Sequence, residues 1–146
     1  MIQTNNPIIR ITILDNISNR NDGQGRHWST SNKARKRLLT ACKGARFERF
    51  EQGQWVQSSI KDCMVPSCME VDMVATRILG PNQRLWDADS VLRGEFKQLL
   101  DSLVELKIIE DDGPKYIKHV LGTQNSNNRD IGPAFQIIIY ERQLNE

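Results

Sequence analysis

The residues best able to do chemistry lie between Arg84 and Asp112. Asp87 and Asp89 stand one residue apart, Lys97 follows, Asp101 comes four residues later, and Glu110, Asp111 and Asp112 close the segment. Residues 87–112 hold eight acidic and three basic residues, a net charge of −5. Carboxylates are hard oxygen donors of the kind Mg²⁺ takes while keeping several waters. Two such ions can clamp the attacking and leaving oxygens of a phosphodiester. A lysine beside them can neutralise charge building on the phosphate. Plainer readings exist for each part. One aspartate at a helix start is an N-cap, worth about 1 kcal/mol with the helix dipole; the second exceeds that need. Lys97 falls at the margin of an apolar stripe, where a lysine either snorkels or reaches into a partly buried site. Its spacing from Asp101 also suits an ordinary i,i+4 ion pair.

Other chemistries fit less well. A calcium loop begun by Asp87 and Asp89 would need a third ligand at Val91, a glycine at Leu92 and a glutamate at Gln98. There is no phosphate-cradling glycine loop, and Ser/His/Asp chemistry has only the residue types in its favour. Cys42, Cys63 and Cys68 are odd in number, and His27 and His119 lie far apart, so zinc is disfavoured and buried or idle thiols are expected.

A second charge cluster has the opposite sign. Residues 20–50 hold nine basic and two acidic residues, net +7, and the remainder of the chain balances to zero. A basic arm beside an acidic cluster can hold a polyanion and still concentrate cations at one point. Arg20, Arg26, Lys33, Lys36, Arg37 and Lys43, with Arg84 beside Asp87, are the candidate phosphate contacts. The competing reading is a basic helix that simply pairs with the acidic segment.

The elements that must position these groups follow from periodicity. Ile8–Leu14 reads as a strand, and residues 15–28 as an exposed polar loop. A helix is expected over 30–48, with Ala34, Leu38, Ala41, Cys42 and Ala45 on one face and the basic residues on the other. Residues 51–66 look irregular. Met69–Ala75 alternates as a second strand ending at Gly80-Pro81. Leu92, Phe96, Leu99, Leu103 and Leu106 mark a helix over 89–107. Lys115–Leu121 and Ala134–Glu141 complete a β-α-β-α-β-β order. The expected fold is a single α/β domain, residues 1–146, with both helices on one mixed sheet.

Length and composition agree. At 146 residues and 38% hydrophobic, the chain can bury one sizeable core. No apolar run approaches the roughly 20 residues of a membrane span, and polar Met1–Pro7 offers no secretory signal. A cytoplasmic protein without membrane association is expected.

The ordered set Asp87-x-Asp89, Lys97, Asp101-x-Leu103 and Asp111-Asp112 resembles the RusA family of crossover-junction endonucleases, its phage-type members above all. The likeness extends weakly to Ser18-Asn19-Arg20 and to His27-Trp28, and the expected element order matches that fold. The resemblance implies a Mg²⁺-dependent homodimer, with Mn²⁺ a possible substitute, that resolves four-way DNA junctions in recombination and repair. The products would carry a 5′-phosphate and a 3′-hydroxyl, and the setting would be a bacterium or phage-infected cell. It implies Asp87, Asp89 and Asp112 as metal-binding carboxylates, Asp111 as an accessory and Lys97 as the catalytic lysine. The family's asparagine after D-x-D is Ser90 here, which leaves open a branched-DNA-binding protein that keeps the fold without catalysis. His27 and Trp28 read equally as a loop tip on DNA or as an anchor pinning the loop to the core.

Overall fold

Strand β1 (Pro7–Ile13) forms because Ile9, Ile11 and Ile13 alternate with Arg10 and Thr12, so one face buries isoleucines and the other stays polar. The computed structural model describes residues 6–15, 17, 28–66, 69–87 and 90–142, with the backbone alone for 28–31. Ser18, Asn19, Arg20, Arg26, His27, Cys68 and Asp89 lie outside the described residues, as does the side chain of Trp28.

Helix α1 (Trp28–Lys43) buries Ala34, Leu38 and Cys42, spaced one turn apart. It ends five residues before the position expected from sequence. The Gly44 amide bonds to Thr40 O at 3.2 Å and the Ala45 amide to Cys42 O at 3.2 Å, tightening the last turn. The chain then enters a hairpin, β2 (Arg46–Glu51) and β3 (Gln54–Ser58), where an irregular stretch was expected. Gln52 and Gly53 join the strands with φ of 50° and 78°, the positive values that a two-residue hairpin turn requires.

Strands β4 (Val71–Ile78), β5 (Ile117–Asn125) and β6 (Ala134–Glu141) complete a six-stranded sheet in the order β3-β2-β1-β6-β4-β5. Only β4 and β5 pair in parallel, and helix α2 (Phe96–Glu105) lies in the connection between them. The fold is therefore a single-domain α/β structure with a mixed sheet and two helices, as expected, with one added hairpin. α1 and α2 pack together, and their apolar stripes join Ile9, Ile11, Met73, Ala75, Ile137 and Ile139 in one core. The other sheet face carries polar pairs such as Arg10, which holds Glu48 through two 2.8 Å hydrogen bonds. No helix among the described residues is long and apolar enough to cross a membrane.

The helix expected over 89–107 is broken. Ser90–Leu92 is a single 3₁₀ turn, Gly94 takes φ of 63°, and α2 begins only at Phe96. The short turn lies directly on β5. A Cβ on Gly122 would come within 3.0 Å of Leu92 Cγ and 3.1 Å of Val91 Cβ. Glycine at that strand position lets the Ser90–Leu92 turn rest against the sheet.

Candidate active site

The site is assembled by the way α2 ends. Lys107 adopts the left-handed conformation at φ 62°, and the amides of Leu106 and Ile108 bond to Ser102 O and Leu103 O at 2.9 Å each. Ile108 and Ile109 are buried, so the chain is hooked back onto the core. Val65 N–H bonds to Ile108 O at 2.8 Å and fixes the hook from outside. The returning segment carries Asp111 and Asp112 alongside the helix it has just left.

Lys97, in the first turn of α2, meets that segment. Its ammonium donates to Asp101 Oδ1 at 3.1 Å and to Asp112 Oδ2. The Asp112 amide bonds to Asp111 Oδ1 at 2.9 Å, which fixes Asp111 relative to its neighbour. Asp101, Glu105, Asp111 and Asp112 line one shallow cavity with Arg35 of α1. The hydrogen bonds from Lys97 to Asp112 and then Asp101 raise the lysine's pKa, and the same contact with Lys97 holds the Asp112 carboxyl below its ordinary value. Lys97 thus remains charged, and its side chain is exposed rather than sunk along the helix. The snorkelling reading gives way to an ion-pair bridge between helix and loop.

Asp87 stands on a different segment. Its side chain is exposed and makes no hydrogen bond or ion pair among the described residues. Its carbonyl accepts from the Ser90 amide at 3.0 Å, and Ser90 is buried in that turn. Behind Asp87, Gln124 of β5 clamps the Trp86 backbone: Oε1 accepts from Trp86 N–H at 2.8 Å, and Nε2 donates to Trp86 O at 3.0 Å. Arg77 of β4 lies over the Trp86 ring at 3.7 Å and donates to Arg84 O and Gln124 Oε1. Sequence reasoning missed both residues, because nothing in a strand's alternation marks a polar side chain that turns toward a neighbouring loop.

The structure therefore brings Lys97, Asp101, Asp111 and Asp112 together and sets Asp87 on a separate support. Among the described residues no three carboxylate, histidine or cysteine side chains are grouped closely enough to hold one ion. The donor set is nevertheless all oxygen, which suits a hard cation held by one or two carboxylates and completed by water. A lysine ammonium already rests against Asp112, a cation in contact with the carboxylate that the metal reading needs.

On α1, Lys33, Lys36 and Lys43 are exposed and have no ion-pair partner among the described residues. Arg37 instead reaches Glu95, whose side chain is buried, and Asp15 at 3.3 Å. Arg35 reaches Glu105 at 3.4 Å. Arg84 is exposed, and its carbonyl is held by Arg77. Cys42 and Cys63 are free, buried thiols, and burial pushes Cys42 up to about 12.

The bridge has a measurable consequence. Asp112 is depressed in the folded state, so the pair stabilises the fold at neutral pH and that contribution disappears as pH falls below about 4. Replacing Lys97 with Met should return the Asp112 carboxyl toward its ordinary value in a ¹³C NMR titration. No change would mean the bridge is absent in solution.

No model of a known protein family matches the chain, and no curated protein matches it.

Proposed function

We propose that the chain is a Mg²⁺-dependent, structure-selective DNA endonuclease that cuts four-way junctions as a homodimer. The observation that carries this reading is the contact of Lys97 with Asp112 across fifteen positions of sequence, with Asp101 and Asp111 beside them. A purely capped surface helix has no use for a loop that returns an aspartate to the lysine of its first turn. Asp111 and Asp112 would hold the ion, with Asp87 and Asp89 from the sequence that precedes α2. The bound ion supplies Lewis-acid stabilisation of a phosphoryl oxygen. Lys97, exposed and charged, is placed to offset negative charge building on the scissile phosphate.

The grip on DNA belongs to α1. Lys33, Lys36 and Lys43 have no carboxylate partner among the described residues, so their charge is open to phosphates. Resolving a four-way junction needs two cuts related by a two-fold axis, and the chain carries one set of candidate residues. A C2 pair solves this with one isologous interface and doubles the basic surface. A cytoplasmic setting, in a bacterium or phage-infected cell, suits a DNA substrate and free thiols.

A labelled four-way junction incubated with the protein tests the reading. Cleavage in Mg²⁺ that stops on chelation is expected. Asp112→Asn and Asp89→Asn should each lower the rate at least about 100-fold while junction binding persists, since removing acidic charge does not weaken a polyanion complex. Binding without cleavage in the unaltered protein would make the chain a passive junction binder.

Lys33, Lys36 and Lys43 are tested through salt. Replacing all three with Gln should weaken binding to every DNA shape and flatten the log–log salt slope by roughly 0.9 per lost contact on duplex DNA. An unchanged slope would turn this face of α1 away from DNA.

A further inference from the structure

The stretch from Gly80 to Asp87 carries the first candidate metal carboxylate, yet residues 83–87 belong to no helix or strand. Its main-chain groups must find partners elsewhere. The Gly80 amide bonds to Gln83 Oε1 at 2.8 Å within the stretch, and three side chains from outside it hold several of the others. Arg129 Nη1 holds both Gly80 O and Gln83 O at 2.7 Å. Arg77 Nη1 holds Arg84 O at 2.9 Å. Gln124 satisfies both the N–H and the O of Trp86. Arg77 also shares the Gln124 Oε1 at 3.0 Å and stacks on the Trp86 ring, so these groups form one connected unit ending one residue before Asp87.

Arg77 is only 5% exposed, and among the described residues no carboxylate pairs with it. A buried guanidinium without a counter-ion is expensive for stability alone, since an apolar residue on β4 would pack there at lower cost. Its retained hydrogen bonds all go to the Asp87-bearing segment or to the glutamine that clamps it.

We propose that Arg77 and Gln124 are positioning residues for Asp87: by gripping Arg84 O and the Trp86 peptide they fix where the Asp87 carboxylate stands and so set the affinity of the site for a divalent cation. Neither side chain touches the cation or the substrate. The proposal rests on the endonuclease reading for what Asp87 does, but not for what holds it.

The test uses the full chain and Mn²⁺ alone as probe. Hydrogen exchange at the Trp86 amide reports the clamp directly, and exchange at Ala75 and Ile137 reports the sheet. In Gln124→Leu the Trp86 amide should exchange at least about tenfold faster with the two sheet amides unchanged. Gln124→Glu, which keeps the oxygen that accepts from Trp86 N–H and from Arg77, should retain most of the protection. Mn²⁺ affinity, read from the free-ion electron paramagnetic resonance signal, should fall about 10- to 100-fold in Gln124→Leu and Arg77→Met and recover largely in Gln124→Glu. Faster Trp86 exchange with unaltered Mn²⁺ affinity would overturn the proposal, as would loss of sheet protection together with the clamp. If the unaltered protein binds no Mn²⁺, the endonuclease reading fails. The positioning role is then judged on exchange at the Trp86 and Asp87 amides, where unchanged rates in Gln124→Leu overturn it and accelerated rates support it.

Discussion

The Lys97 ammonium lies against carboxylates that reach it from two directions, one a helical turn away and one from the loop beyond the helix. That contact depends on the chain reversing after α2, and the reversal depends on a left-handed lysine followed by two buried isoleucines. The hook is anchored by apolar burial, so the charged groups are arranged by a force that does not itself depend on charge. Asp111 and Asp112 are thereby held near a cation without any extra secondary structure to carry them.

The two charge clusters are linked more closely than a simple opposition of basic and acidic arms. Arg35 and Arg37 of α1 reach Glu105 and Glu95 at the two ends of α2, so part of the basic helix neutralises the acidic helix it packs on. The Glu95 side chain is buried, and burying a carboxylate is tolerable only with a partner such as this. Lys33, Lys36 and Lys43 stand apart from that pairing. Within one helix, therefore, two arginines serve as internal partners while three lysines stay exposed.

Much of the sheet was legible because its strands are rich in β-branched and aromatic residues, with clean alternation in β1: β6 matches the expected Ala134–Glu141, and β1 is displaced by one residue. The β2–β3 hairpin was not, because its turn is Gln52-Gly53 rather than Asn-Gly or Asp-Gly, and because exposed Arg, Glu and Gln on both strands blur the period of two. The leucine stripe located α2, yet Gly94 delays its start, and Asp87 lies outside it. The Lys97–Asp101 spacing could be read from the helix repeat. The Lys97–Asp112 contact could not, since it needs a left-handed residue at position 107, where no glycine or asparagine announces one. Arg77 and Gln124 escaped notice for a related reason: their partners are main-chain groups of a loop, and main-chain partners leave no trace in residue type.

The proposed metal site joins the carboxylates gathered at Lys97 to those following Trp86. Paramagnetic line broadening by Mn²⁺ at substoichiometric amounts, read on the assigned backbone amides of the full chain, addresses it most directly. The amides of Asp87, Asp89, Asp111 and Asp112 should broaden first and together, and excess Mg²⁺ should restore them. Broadening confined to one of the two segments, or centred on an unrelated carboxylate such as Glu70, would contradict a shared site.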